Sequence, residues 1–428
     1  MARGLKTIAY SVLQHTPRLR LAVRRTYWKL RRRKFSQLSA SIPSNGKLVF
    51  FEAYGGKQYD CSPKALFRTL LADPRFANWE YVWSFAPGVE PPVQAHPELG
   101  QARIVTRESD EYFRALAQAR YWVLNNRVPE YVYPKPEQVY VQCWHGTPLK
   151  RLGCDVAETS EGGALNTAAE LAERFCMDAE KWSYLLSPSA FASKHLCSAF
   201  GLTQERRPQV VCEEGYPRND AVVNTLAASD AAEHVARIKE RLGVPADKKL
   251  LLFAPTWRDD QFKAGTGYVA ELPLDLDALR AEVGGEWAIM LRMHYHIANQ
   301  LDLSPWEGFA FDVSKADDIS ELYCAADALC TDYSSVFFDY AVTGRPLLFF
   351  WPDRAHYEKA LHGFYMDADK LPGPKCATTG QLARELRAMG TWDERYGAEY
   401  QAFRQEFAPH EDGRASERVI DRVFGGAA

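Results

Sequence analysis

The stretch Val141-Gln142-Cys143-Trp144-His145-Gly146-Thr147-Pro148-Leu149-Lys150 holds the densest chemistry in the chain. An apolar run from Val139 to Val141 reads as a strand that delivers His145 into a Gly-Thr-Pro turn. Pro148 suits the first position of a following helix, where its missing N–H would be unpaired anyway. The N–H groups at a helix start favour anions. A titratable imidazole beside a phosphate-sized turn suggests phosphoryl chemistry.

Four later strand-like runs end in groups of the same kind. Gly215-Tyr216-Pro217-Arg218-Asn219-Asp220 follows one, Pro255-Thr256-Trp257-Arg258 the next, Arg292-Met293-His294 a third and Asp332-Tyr333-Ser334-Ser335 the last. Histidines suit proton transfer near neutral pH, and arginines and hydroxyls suit phosphate oxygens. Plainer roles stand beside these. His294 and His296 form an HxH pair, but no third metal ligand accompanies them. Arg258 has Asp259 and Asp260 as neighbours. Ser334 and Ser335 can serve as helix caps. Asp339, one helical turn after Ser335, either returns to the site or braces its helix. Asp318 with Glu321 reads as a helix start. No P-loop, dinucleotide fingerprint or G-x-S-x-G elbow is present.

The elements that must carry these groups alternate. Strand patterns at Leu48–Ala53, Tyr81–Phe85, Arg103–Thr106, Tyr121–Asn125, Val139–Trp144, Tyr184–Ser187 and Val210–Glu213 are separated by helical stretches such as Pro63–Ala72, Glu108–Ala119 and Ala190–Phe200. After a helical stretch from Asp230 to Leu242 the texture repeats at Lys249–Ala254, Trp287–Met293, Phe309–Val313, Ala328–Thr331 and Leu347–Trp351, with a helix expected over Val336–Thr343. The pattern predicts two α/β halves with parallel sheets, 37–228 and 229–428, whose ligands sit at the carboxyl ends of the strands.

The net charge of −3 conceals an asymmetry: the first 51 residues hold twelve of the 52 Lys and Arg and none of the 55 Asp and Glu. Residues 1–36 read as two helical pieces split at Pro17. Apolar positions (Leu19, Val23, Tyr27, Leu30) lie on one face and arginines on the other, the pattern of a helix on an anionic membrane surface. A basic helix packed on the acidic body and a nucleic-acid arm are the alternatives; the mixed aromatic and aliphatic residues favour the membrane. No run is long enough to span a bilayer, and the start lacks the apolar core of a secretion signal. The nine cysteines form no CxxC pair and read as small hydrophobes in a reducing cytoplasm.

Trp144-His145-Gly146-Thr147-Pro148-Leu149-Lys150, Gly215–Asp220, Ala254–Arg258, Arg292–His294 and Asp332–Asp339, followed by Gly363-Phe364-Tyr365 and Pro372-Gly373-Pro374, appear in an order that resembles the CDP-glycerol glycerophosphotransferases, the primases and polymerases of bacterial teichoic acids. The resemblance implies a GT-B architecture: two Rossmann-like halves facing a cleft, the second holding a CDP-alcohol donor and the first presenting the acceptor. It implies His145 and His294 as the essential histidines. Donor contacts carry over to Gly146, Thr147, Pro148, Leu149, Arg218, Pro255, Thr256, Arg292, Met293, Ser334, Ser335 and Asp339. It further implies no metal or other cofactor, a lipid-linked polyol phosphate acceptor, no nucleic acid, and a peripheral place on the inner membrane face.

The expected reaction is attack of an acceptor hydroxyl, deprotonated by His145, on the phosphorus that carries the alcohol, with CMP leaving and His294 meeting the leaving phosphate. The histidine roles are interchangeable at this level. A CDP-ribitol or capsule-polymer transferase, a nucleotide-sugar glycosyltransferase on the same fold, and a non-catalytic adaptor are the competing readings. Before about residue 130 no motif assigns acceptor choice.

Overall fold

Apolar runs that alternate with helix patterns can bury both faces only in a parallel sheet covered on both sides. The computed structural model has two such sheets; it describes residues 17–157, 167–256, 262–263, 267–268, 272–293, 302–352 and 363–426. His294, His296, Trp257 and Arg258 lie outside the described residues.

The first sheet comprises β1 (Asn45–Glu52), β2 (Glu80–Phe85), β3 (Arg103–Thr106), β4 (Ala119–Leu124), β5 (Val139–Gln142), β6 (Tyr184–Ser187) and β7 (Val211–Glu213), in the order β3-β2-β1-β4-β5-β6-β7. The second comprises β8 (Lys249–Phe253), β9 (Trp287–Leu291), β10 (Ala310–Asp312), β11 (Ala328–Thr331), β12 (Leu347–Phe350) and β13 (Lys375–Cys376), in the order β10-β9-β8-β11-β12-β13. Every neighbouring pair in both is parallel. Each order reverses once, between β1 and β4 and between β8 and β11, which opens a crevice at the carboxyl ends.

Helices cover the sheets. The described residues begin in α1 (Pro17–Ser41), and α2 (Cys61–Ala72) follows β1 with Asp60 as its N-cap. Further on come α3 (Ala168–Ala179), with a Thr167–Glu170 capping box, the short α4 (Val336–Tyr340), and α5 (Ala415–Phe424). One face of the first sheet packs Phe50, Trp122 and Tyr140; the other packs Phe51, Phe67 and Trp83.

Two sequence expectations are corrected. The helix after Pro148 does not form. Residues 149–151 instead run antiparallel to 363–365: the Tyr365 N–H donates to the Leu149 carbonyl at 2.9 Å and the Arg151 N–H to the Gly363 carbonyl at 3.0 Å. This ladder satisfies backbone groups that a helix would have satisfied, and Leu149 is buried in the core of the second half. The anion site of a helix start is therefore absent beside His145. The second concerns the span 229–428. Its last helix, α5, returns to the first sheet, where Val419, Ile420 and Phe424 pack with Phe76 and Trp79.

Candidate active site

The two crevices are built alike. At the first, the side-chain oxygen of Asn125, just past β4, accepts the N–H of Tyr54, just past β1, at 2.7 Å. At the second, Asp332, just past β11, accepts the N–H of Thr256, just past β8, at 2.7 Å, and the Thr256 hydroxyl at 2.5 Å. Each switch point is thus spanned by one short polar side chain, which ties the two diverging strand ends together.

His145 hangs from the first of these clasps. Its Nδ1 lies 2.7 Å from the backbone carbonyl oxygen of Asn125. A carbonyl only accepts, so Nδ1 carries the proton and the neutral ring keeps its lone pair on Nε2. Sequence sets up this turn in three steps. The Cys143 N–H donates to the Leu124 carbonyl at 2.7 Å. β5 ends at Gln142, Trp144 takes a left-handed backbone (φ 48°), and its N–H is held by the Gln142 side chain at 2.9 Å. The Trp144 ring, wedged on Phe200, then stacks on the imidazole with centroids 4.3 Å apart. The ring is open to the cleft, but the protein around it lowers the imidazole pKa from 6.5. Desolvation leads, the Asn125 hydrogen bond opposes it, and Arg218 and Arg127 add to the lowering.

Ser334 and Ser335 stand across the cleft. A Cβ at Gly146 would lie 3.1 Å from the Ser335 hydroxyl, so the turn after His145 and the start of α4 nearly touch. Two cavities meet at this point. One of about 400 Å³ is lined by Tyr54, Asp60, Lys64, His145, Arg218, Asp318, Ser334, Ser335 and Asp339. One of about 220 Å³ is lined by residues 144–150, Thr256, Tyr333, Ser334 and Ser335. His145, Ser334 and Ser335 line both.

Charge in the larger cavity is arranged in pairs. Arg218 holds Asp339 by two bonds, Nη2 to Oδ1 at 2.8 Å and Nε to Oδ2 at 3.2 Å, and its guanidinium lies 3.8 Å from the Tyr216 ring centroid. The family resemblance implied both residues as donor contacts; here they form one ion pair that joins the halves. Lys64 of α2 bridges to Asp318 of the second half at 2.7 Å, while Asp318 also caps its own helix through the Ser320 N–H, as the Asp318/Glu321 spacing suggested. Asp60 is buried, accepts the Cys61 N–H at 2.6 Å, and has its pKa pushed up to about 7 by burial and then by Asp318.

Of the remaining expected contacts, Thr147, Pro148 and Leu149 line the smaller cavity, and Arg292 and Met293 are engaged elsewhere. Arg292 donates to the carbonyls of Val313 and Ala316 at 3.3 and 3.0 Å. The Met293 side chain belongs to the core of the second half. Thr147 and Pro148 are buried, and Pro255 is half-buried at the end of β8. Sequence reading passed over Tyr54, Asp60, Lys64 and Asn125. Tyr54-Gly55-Gly56 and Asn125-Asn126 each follow an apolar strand, the same cue that singled out His145.

The family model for CDP-glycerol:poly(glycerophosphate) glycerophosphotransferase matches residues 34–425. The teichoic acid poly(glycerol phosphate) polymerase of Staphylococcus epidermidis is 41% identical over 378 residues, 88% of this chain and 50% of that protein. The one from Bacillus subtilis is 40% identical over 389 residues, 90% and 50%. The chain therefore spans about half the length of these two relatives. The teichoic acid glycerol-phosphate transferase of Staphylococcus aureus is 36% identical, with 91% of this chain and 95% of that one covered. Among solved structures, the wall teichoic acid polymerase TagF superposes with a TM-score of 0.81 at 38% identity, covering 97% of this chain and 98% of that one. A histidine-to-asparagine variant of it, soaked with CDPG, gives the same TM-score of 0.81. Fold order, paired crevices and the match over residues 34–425 place this chain in the CDP-glycerol:poly(glycerophosphate) glycerophosphotransferase family.

Proposed function

We propose that the chain transfers glycerol phosphate from CDP-glycerol to a hydroxyl of a lipid-linked, teichoic acid-like acceptor and releases CMP. The observation that carries this reading is His145: a neutral imidazole, its tautomer fixed by the Asn125 carbonyl, on the wall shared by two cavities. One cavity admits a donor and the other an acceptor, so the base reaches the attacking hydroxyl. Nε2 takes the hydroxyl proton, the oxygen attacks the phosphorus bearing glycerol, and the bond to the bridging oxygen breaks, with its electron pair leaving on CMP. Ser334 and Ser335 receive the diphosphate, and His294 meets the leaving phosphate. No metal is assigned to the step. The CDPG soak of a polymerase with this fold supports the donor choice.

The test is CMP release from CDP-glycerol in the presence of a lipid bearing terminal glycerol phosphate, with and without His145→Ala. Release that ignores the substitution sinks the reading, and consumption of a nucleotide sugar instead converts it to glycosyl transfer. A panel including CDP-ribitol fixes the alcohol, and product mass separates one addition from many.

The acceptor is proposed to arrive along an anionic membrane surface that α1 engages. No helix among the described residues is long and apolar enough to cross a membrane. On α1, Val23, Tyr27 and Leu30 are 49%, 52% and 66% exposed along one face. Elsewhere on α1, Arg25 binds Glu173, Arg31 bonds to Tyr131, and Arg32 stacks on Tyr133. The body thus takes several arginines, as the packed-helix alternative expected, and leaves an apolar stripe outward. That stripe supports interfacial binding.

A further inference from the structure

Seven of the nine cysteines are buried, but Cys154 is exposed and Cys176 half-buried. Their sulfur atoms lie 3.4 Å apart. Cys154 sits in the turn Gly153–Asp155, and Cys176 in the last turn of α3. Both backbones are anchored. Asp155 accepts the Ser198 hydroxyl at 2.6 Å and the Tyr365 hydroxyl at 2.5 Å. A Cβ at Gly153 would strike the Ala199 carbonyl at 2.2 Å and the Phe175 ring at 2.3 Å. Gly201 crosses the pair from outside, where a Cβ would lie 2.7 Å from the Cys176 sulfur and 3.6 Å from that of Cys154. Two bare backbones therefore bring the turn and α3 together and leave room for both sulfurs.

We propose that Cys154 and Cys176 are a redox-modification site that closes to a reversible disulfide under peroxide. The sulfurs need to approach by only about 1.4 Å to reach the bonded distance of about 2.0 Å. The Cys154 thiolate attacks a peroxide oxygen, the O–O bond breaks, and a sulfenic acid forms. The Cys176 sulfur then attacks that sulfur, the S–O bond breaks, and water leaves. Two thiols lose two electrons and two protons, and one peroxide becomes two waters. A small-molecule dithiol reverses the change. Burial and the neighbouring Cys176 push the Cys154 thiol up to about 12, so the thiolate that attacks peroxide is scarce near neutral pH and the bond closes slowly unless peroxide is abundant. The bond would bolt the segment leaving the His145 turn to the helix whose Phe175 ring lies 6.3 Å from Trp144.

The experiment uses the full chain, treated with hydrogen peroxide, alkylated and analysed by intact mass and peptide mapping. Titratable thiols should fall from nine to seven. One cross-linked peptide pair should join 154 to 176 and vanish with dithiothreitol. Thermal unfolding should move up by a few degrees. Cys154→Ser and Cys176→Ser should each abolish the cross-link. Nine thiols left intact, oxidation of Cys154 alone to sulfinic acid, or a cross-link that survives Cys176→Ser would overturn the proposal.

Discussion

The Asn125 carbonyl oxygen lies 2.7 Å from His145 Nδ1, and this one bond fixes which nitrogen of the ring is free to act as a base. His145→Ala should therefore lower turnover by roughly 10²–10⁴-fold, the usual worth of a positioned general base, with circular dichroism unchanged. Because the ring pKa is held below 6.5, the acid limb of kcat/KM should fall below pH 6.5. A limb above that value, or activity within tenfold of the native protein, removes the base role.

Gly146 faces Ser335 across the cleft. Gly146→Ala would put a methyl 3.1 Å from the Ser335 hydroxyl, so that side chain must yield. The expected outcome is a several-fold rise in KM for the CDP-alcohol with folding intact. Ser335→Gly in the same protein should recover part of it by opening space; steady-state kinetics on the double variant tests the steric link.

Arg218 and Asp339 form a largely buried pair between the halves. Removing one partner leaves a charge without its counter-ion, at a cost of about 3–5 kcal/mol. Asp339→Asn and Arg218→Met should each lower the denaturant midpoint, and the double variant should lose less than the two together. Full additivity in that cycle would show that the pair does not couple the lobes.

Asp60 gives a pH signature. Its folded pKa of about 7 stands above the 3.8 of the free side chain, so the folded protein holds this proton more tightly than the unfolded chain. That contribution is complete below about pH 4 and is lost as pH rises through 7. Asp60→Asn retains an acceptor for the Cys61 N–H without the charge. Its stability relative to the native protein should grow between pH 4 and pH 8 by an amount on the order of a few kcal/mol. Chemical denaturation at both pH values measures the change, and a flat difference refutes the shift.

On α1, replacing Val23, Tyr27 and Leu30 by Ser should weaken sedimentation with anionic vesicles at least tenfold. Phe35 and Ser39 are buried against the body, so these substitutions disturb the fold less than a deletion reaching residue 36. Undiminished vesicle binding places the membrane contact elsewhere.

Periodicity located the twelve longer strands because fully buried strands such as Trp287–Leu291 read as continuous apolar runs. Strand ends gave His145, Thr256, Ser334 and Ser335, since ligands of open parallel sheets gather at the carboxyl ends of the strands. The helix after Pro148 was misread because the partners of residues 149–151 come from 363–365, more than 200 residues away, beyond any local signal. Asn125 escaped notice for a related reason. Its function at His145 is exercised by a backbone carbonyl, which every residue has. The pairing of Arg218 with Asp339 spans the two halves and leaves no trace in spacing.

The return of α5 to the first sheet makes that lobe from two separate stretches of sequence, with the second lobe inserted between them. During synthesis the first lobe cannot finish its surface until α5 emerges from the ribosome. Phe76, Trp79 and Tyr121 wait uncovered through the manufacture of everything after β7. Loss of α5 would thus injure a surface encoded far earlier in the sequence, and the first half expressed alone would lack the helix that covers it.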